Sequence, residues 1–346
     1  MSDLAPPEPL ERRPSAAGVR TARLGFVGVG WIGRNRMEAM LATGLAEAVA
    51  ILDADDATAA EACRLAPDAR RAGGFDELLA MDLDGVVIAT PSALHAEQAI
   101  GALQAGKAVF CQKPLGRTAA EVEAVLAAAR RADRLLGVDM SYRFTEGMAK
   151  IRDLVGSGEL GAVHAVDLTF HNAYGPDKPW FYDPALSGGG CVMDLGVHLV
   201  DLALWTLAPA RVVDVSADLF AEGRPLIDSE GRTEDFALAT LRLDTGAVVR
   251  LACSWRLPAG QDAVIGAAFY GPEGGAAFRN VNGSFYDFTA ERFRGTARET
   301  LALPPDAWGG RAAADWAGRL AAGARFDPAM EDVLAAAQVL DRIYGR

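Results

Sequence analysis

Residues able to do chemistry fall in three places along the chain. Gly28, Gly30 and Gly33 form a G-x-G-x-x-G pattern directly after the apolar stretch Leu24 to Val27 and at the start of a helix. Such a turn cradles a pyrophosphate: the first glycine permits the bend, the second lets phosphate reach the backbone, and the third lets the helix press on the strand. The N–H groups of Trp31, Ile32 and Gly33 then face the anion from the positive end of the helix dipole. Asp53 closes the unit about 20 residues further on. A carboxylate there accepts from a ribose 2′-OH and repels a 2′-phosphate. With Asp55 and Asp56 following and no cation near in sequence, NAD is expected over NADP.

The second place is Gln112-Lys113-Pro114, after the apolar stretch Ala108 to Cys111. A lysine at a strand end can hydrogen-bond a substrate oxygen and stabilise negative charge developing on it. Pro114 restricts the backbone at Lys113. The alternative is a solvated strand-end lysine. The third place begins at Ser187-Gly188-Gly189-Gly190, which opens a helical segment carrying Asp194, His198 and Asp201. Spacings of four and three put these on one helix face. Asp194 beside His198 makes an acid and base pair in which the carboxylate orients the imidazole and stabilises its cation. The alternative is a structural, hydrogen-bonded histidine.

Further candidates flank these. Thr90-Pro91-Ser92 follows another strand, and His95 in the next turn is expected to hold that loop. His171, Asn172, Tyr174, Lys178 and Trp180 make a polar-aromatic loop suited to a sugar pocket, the alternative being a polar connection with a core tryptophan. Neither H-E-x-x-H nor a cysteine and histidine cluster is present, so no metal site is expected, and there is no nucleophile elbow or Walker A loop.

Positioning these groups calls for two architectures. From Thr21 to about Ser141 short apolar strands alternate with helices: Thr21 to Val27, Ala48 to Leu52, Gly85 to Ala89, Ala108 to Cys111 and Leu135 to Asp139 are the strands. That rhythm predicts an α/β doubly wound parallel sheet, the Rossmann arrangement, over residues 19–141. Thr118 and Glu121 form a T-x-x-E capping box for a helix running to about Ala132. Beyond Tyr142 long alternating stretches take over: Ala162 to Tyr174, Val212 to Ala221, Phe236 to Asp244, Val248 to Leu257 and Ala263 to Tyr270, with turns at Asp244-Thr245-Gly246 and Asn282-Gly283. Residues 142–346 are therefore expected to form an α+β domain with a large, mostly antiparallel open sheet, closed by helices at Ala312 to Ala322 and Pro328 to Tyr344, the last of which can pack back on the first domain. An open sheet face suits a partner subunit, so a homodimer or homotetramer is expected.

Composition narrows the class. The chain has 346 residues, 51% hydrophobic and 23% charged, with a net charge of −12. Its isoelectric point near 4.9 argues against general affinity for nucleic acid or anionic lipid. No run of 18 or more apolar residues is present to span a membrane, and the four cysteines form no C-x-x-C pair, which fits reduced thiols in the cytoplasm. Residues 1–18, rich in Pro, Ala and charge, read as a disordered tail.

Taken together, the chain resembles the Gfo/Idh/MocA oxidoreductase family over about Ala22 to Tyr344. The resemblance rests on the Gly28 to Gly33 fingerprint, Thr90-Pro91-Ser92-Ala93-Leu94-His95, the Lys113-Pro114 pair, and Ser187 through Asp201 against the family's G-G-G-x-x-x-D-x-G-x-H-x-x-D. It implies a catalytic trio of Lys113, Asp194 and His198, and hydride transfer between nicotinamide and a carbinol or carbonyl carbon of a sugar or cyclic polyol. His198 would remove the hydroxyl proton, Lys113 would bind the same oxygen, and Asp194 would position them. The resemblance also marks Arg143 as a candidate near the substrate, and Thr90, Pro91, Ser92, His95 and Gln112 beside the cofactor. Where the family commonly has Glu-Lys-Pro, this chain has Gln112. Loss of that charge would lower the pKa of Lys113 if the two side chains approach. Some relatives cleave glycosides by transient oxidation, which would need a second base, for which Tyr142, Tyr174 and His171 are candidates. A non-catalytic NAD or sugar sensor is a further alternative.

Overall fold

The computed structural model of the chain describes residues 20–226 and 231–346. The tail expected over residues 1–18 lies outside the described residues. Six parallel strands form the first sheet: β1 (Ala22–Val27), β2 (Ala46–Leu52), β3 (Arg70–Arg71), β4 (Gly85–Ile88), β5 (Ala108–Cys111) and β6 (Leu136–Val138), in the order β3-β2-β1-β4-β5-β6. Every residue of β4 and β5 is buried, as a sheet covered by helices on both faces requires. Strand order reverses between β1 and β4, the switch point at which such sheets open a ligand crevice. Val27 pairs with Ile88 in register, so the glycine turn after β1 lies against Ala89 and Thr90 after β4.

The second sheet has nine strands: β7 (Ala165–Asn172), β8 (Val212–Ala221), β9 (Arg224–Pro225), β10 (Phe236–Leu243), β11 (Val248–Ser254), β12 (Ala263–Gly271), β13 (Gly274–Asn280), β14 (Phe288–Arg294) and β15 (Ala297–Ala302). Their order is β15-β14-β13-β12-β7-β11-β10-β8-β9. Among the described strands of this sheet, β7 and β11 alone pair in parallel. Val166, Leu168 and Phe170 of β7 face inward and are buried, while the residues between them face outward and are half-buried. The inner face carries the helix Val197–Leu207, nine of whose residues are buried. Within Pro184–Leu207 the most apolar window is long and apolar enough to cross a membrane, and 72% of it is buried inside the protein, as befits a core helix.

The turn expected at Asn282-Gly283 joins β13 to β14, although the sequence-based reading gave bounds to no strand after Tyr270. Gly274-Gly275-Ala276-Ala277 has no β-branched residue, and pairing with β12 and β14 supplies what intrinsic preference does not. The capping box also differs. Thr118 accepts from the Glu121 N–H at 3.2 Å, but the Glu121 carboxylate reaches the N–H of Arg117, at 2.7 Å, instead of that of Thr118.

The helix Arg311–Ala321, near the chain's end, returns to the first sheet. Trp316 is 3% exposed and packs on Phe110 with ring centroids 5.7 Å apart. Room for its indole comes from Gly85 and Gly137, where a Cβ would lie within 2.8 and 2.6 Å of it. Burying a side chain of that size contributes about 2–3 kcal/mol. The two sheets are thus tied together by the last helices as well as by the crossing near Ser141.

Candidate active site

The glycine turn is fixed by backbone sterics. Gly28 has φ +78°, and a Cβ there would sit 2.6 Å from the Ala89 carbonyl group. At Gly33 a Cβ would meet the Gly28 carbonyl oxygen at 2.1 Å, whereas at Gly30 it would meet nothing within 4 Å. Gly30 therefore borders open space at the start of the helix Trp31–Ala42, which has no side-chain cap on its first N–H groups. Free N–H groups facing open space, at the switch point of a parallel sheet, fit a dinucleotide pyrophosphate. Asp53 braces the turn: its Oδ2 accepts from the Val29 N–H at 2.7 Å and its Oδ1 from the Asp55 N–H at 2.9 Å. One cation does come close, contrary to the sequence-based expectation. Arg71 on the neighbouring β3 pairs with Asp56, a contact hidden by chain distance.

Lys113 and the helical segment meet across the crevice. The Lys113 ammonium donates to Asp194 twice, to Oδ1 at 2.8 Å and to the main-chain carbonyl at 2.7 Å. His198 is 8% exposed, and its ring stands edge-on to that of Tyr142, with centroids 5.0 Å apart. Burial holds the imidazole well below its usual pKa, and the cations of Lys113 and Arg36 press it lower. It is therefore a neutral base at pH 7. Tyr142 sits at the centre of an aromatic cluster with Phe170, Phe288 and Trp308. Burial, Tyr286 and Asp194 push its phenol up, so it stays protonated.

Asp194 and His198 do not form the hydrogen-bonded pair that their place on one helix face predicts. Val192–Gly196 is a π-helical turn in which the Val197 N–H reaches back to the Val192 carbonyl, and the extra residue breaks the α-helical phase between Asp194 and His198. Asp194 turns to Lys113 and Trp255. Asp201 receives Arg143, whose Nε donates at 2.9 and 3.1 Å. The Arg143 guanidinium is thus committed to a buried carboxylate and braces the helix, in place of the substrate contact that the resemblance implies.

Other candidates are also re-placed. His171 lies on the outer face of β7, opposite to Phe170, with Nδ1 2.7 Å from Ser254 Oγ and its ring stacked on Phe236. Alternation along a strand sends neighbours to opposite faces, so His171 points away from His198 while Asn172 shares the inner face. Tyr174 is 59% exposed, and its hydroxyl donates to Asp262. Trp180 stacks on Phe181 at 3.8 Å. His95 is 1% exposed, with ring nitrogens 2.7 Å from the Thr90 and Pro114 carbonyl oxygens, so it ties two strand-end loops together and does not face a cofactor. Thr90 Oγ1 donates to Gln98, and Ser92, next to the helix-capping Pro91, is buried. Gln112 does not approach Lys113; its amide donates to Asp139 at 2.5 Å, beside Arg36 and Ser141. The condition for an effect of Gln112 on Lys113 is therefore not met.

Sequence reading missed Glu234 and Trp255. Glu234 is 1% exposed and accepts from the N–H groups of Gly190 and Val192 and from the Tyr344 hydroxyl, anchoring the start of the π turn. Burial raises its carboxyl pKa despite these bonds. Trp255 donates Nε1–H to Asp194 Oδ2 at 3.0 Å. Neither carries a local motif; each is brought in by strand pairing.

Residues 22–140 match the family pattern described as an oxidoreductase family with an NAD-binding Rossmann fold, and residues 148–277 match the GFO/IDH/MocA C-terminal domain. A curated relative, D-glucoside 3-dehydrogenase of Escherichia coli (strain K12), is 28% identical over 212 residues, spanning 58% of this chain and 60% of that protein. The chain thus aligns with about three fifths of that relative's length. Two solved structures share the fold. Levoglucosan dehydrogenase in complex with NADH and levoglucosan has a TM-score of 0.80 at 24% identity, covering 94% of this chain and 97% of that one. A 3-ketoreductase from Actinomadura kijaniata in complex with NADP and TDP-benzene has a TM-score of 0.80 at 23% identity, covering 94% of this chain and 98% of that one.

Proposed function

The chain belongs to the Gfo/Idh/MocA family of NAD(P)-dependent oxidoreductases, and from that premise we propose that it is an NAD-dependent dehydrogenase or reductase of a sugar, sugar derivative or cyclitol. One observation carries the reading: the Lys113 ammonium is held at two points by Asp194, on the same helical segment that carries the buried His198. When bound, the nicotinamide supplies the hydride acceptor or donor. The turn from Gly28 to Gly33 would hold the pyrophosphate, and Asp53 the adenosine ribose.

His198 takes the proton from the substrate hydroxyl as a general base, and gives it back in the reductive direction. Lys113 donates to the same oxygen and stabilises the charge that develops on it. Asp194 fixes the ammonium at two points, which sets the direction of its third hydrogen. Tyr142, Phe170 and Trp308 form an apolar wall that limits water around the base. Sugars and cyclitols suit this arrangement because their ring faces pack on aromatics while their hydroxyls meet Lys113 and His198.

Asp53, followed by Asp55 and Asp56, supports NAD over NADP, since a 2′-phosphate would face carboxylates and the nearby Arg71 is already paired. The outer face of the second sheet, on which Leu238 is 44% exposed, supports self-association into a dimer or tetramer.

The test is to incubate the protein with NAD and a panel of free sugars, cyclitols and glycosides, following NADH absorbance and product release together. Stoichiometric NADH from a free sugar or cyclitol is expected. Aglycone release without NADH would instead identify a redox-cycling hydrolase. The structure weighs against that second reading at each base named for it: Tyr142 is held protonated, His171 faces the far side of the sheet, and the Tyr174 phenol is raised by Asp262.

A further inference from the structure

Asp194 has three acceptor groups near Lys113, and only two of them meet the lysine. Oδ1 and the main-chain carbonyl take the ammonium. The other carboxylate oxygen, Oδ2, accepts from Trp255, whose indole N–H can only donate. Trp255 follows β11 directly and is 3% exposed. With that bond in place the carboxylate cannot rotate about its Cβ–Cγ axis. Without it, the second oxygen of this part-buried carboxylate would lack its donor and compete for the Lys113 ammonium.

The same indole is the seat of the loop that follows β7. Tyr182 meets it edge-on with centroids 5.6 Å apart, and Phe181 does so at 6.3 Å. Tyr182 is itself tied down: its hydroxyl donates to the Pro176 carbonyl at 2.8 Å and accepts from Arg256 at 3.1 Å, and the Arg256 guanidinium lies 5.1 Å from its ring centroid. Gly175 leaves room for this hydroxyl, since a Cβ there would approach it to 2.2 Å. One side chain thus touches both the group that aims Lys113 and the loop flanking the crevice.

We propose that Trp255 is a positioning residue for the hydride-transfer reaction: its N–H orients Asp194 and so aims Lys113, while its benzo ring seats the Gly175–Tyr182 loop. This rests on the roles assigned above to Lys113 and Asp194. The two functions separate by substitution. Trp255→Phe keeps an aromatic ring and removes the donor. Trp255→His keeps a donor, because imidazole Nε2 stands in the ring where indole Nε1 does, and removes the benzo ring.

The experiment measures kcat and KM for the best substrate of the wild-type panel, with NAD affinity by titration and thermal melts as controls of folding. Trp255→Phe is expected to lower kcat about tenfold with KM changed less than about threefold. Trp255→His is expected to keep kcat within about threefold of wild type and to raise KM. In an Asp194→Asn background, Trp255→Phe should cost nothing further, because its effect passes through the carboxylate. Wild-type kcat in folded Trp255→Phe, or losses that multiply in the double variant, would overturn the proposal while leaving the dehydrogenase reading intact. If Trp255→Phe does not fold, Trp255→His decides alone: a kcat loss of tenfold or more despite the retained donor would overturn it. A wild-type protein that turns over no sugar or cyclitol would remove the reading itself and the proposal with it.

Discussion

The glycine turn at Gly28 to Gly33 and the segment from Gly188 to His198, which contains the π turn Val192–Gly196, are built by opposite means. In the first, every constraint is local or one strand away: Gly28 against Ala89, Gly33 against Gly28, Asp53 against Val29. In the second, the glycines also make room, since a Cβ at Gly189 would meet the Tyr344 hydroxyl at 2.0 Å and one at Gly190 the Glu234 carbonyl at 1.9 Å. Yet the functional groups there are aimed by side chains from elsewhere in the chain: Lys113, Trp255, Glu234 and Tyr344. A cofactor site common to many reactions can be made of backbone, whereas a site that selects a substrate needs side chains that vary.

The largest expected effect is on the π-turn side. Lys113→Met and His198→Ala should each lower turnover by about 100- to 10,000-fold, with NAD affinity within a fewfold of wild type. Turnover kept in both variants would break the division of labour. Because burial and the cations of Lys113 and Arg36 hold His198 well below its ordinary 6.5, the base stays neutral as the medium is acidified past that value. The acid limb of kcat/KM in the wild type should therefore lie below pH 6.5. A limb at or above it would mean that His198 is solvated in the working enzyme.

A smaller effect separates two glycines within the first turn. Gly33→Ala places a methyl on the Gly28 carbonyl and should lower the melting temperature and abolish NAD binding together. Gly30→Ala enters open space and should weaken NAD binding about tenfold or more while leaving the melting temperature unchanged, because only the pyrophosphate competes for that space. Equal melting temperatures for the two variants would contradict the steric account.

Legibility in the sequence follows the same division. The parallel sheet and the glycine turn with Asp53 are legible because short-range spacing specifies them, whereas spacing leaves Lys113 and His198 open and only the resemblance to a family singles them out. His171 was misassigned to the pocket, for strand phase can be read only when the buried face is known, and Phe170 takes it. Arg143 sits where a substrate ligand was expected but faces Asp201. Trp255 and Glu234 gave no sequence signal, because their roles arise from the pairing of β10 and β11 with strands far away in the chain. The π turn was hidden too: one extra residue in a helix leaves the apolar pattern almost unchanged while it re-aims Asp194.

Gln112 gives the smallest and most discriminating effect, because it belongs to neither turn. Its amide donates to Asp139, and Asp139 also takes Arg36 on the helix that leaves the glycine turn and Ser141 at the crossing into the second sheet. The cluster is buried and balanced, with one guanidinium against one carboxylate. Gln112→Glu restores the residue common in the family but sets a second carboxylate against Asp139. One of the two must then hold a proton at a pKa raised by burial and by its neighbour. A group with a raised folded-state pKa binds a proton that the unfolded chain has already released, so its stabilising effect is complete at low pH and is lost as pH rises. The variant should melt close to wild type near pH 4.5 and fall behind by about 2–3 kcal/mol at pH 7. Its kcat should stay within about threefold, because Lys113 is aimed by Asp194 and not by position 112. A stability gap independent of pH, or a large loss of kcat without one, would show that residue 112 acts on the lysine after all, and the two turns would then be electrostatically one site.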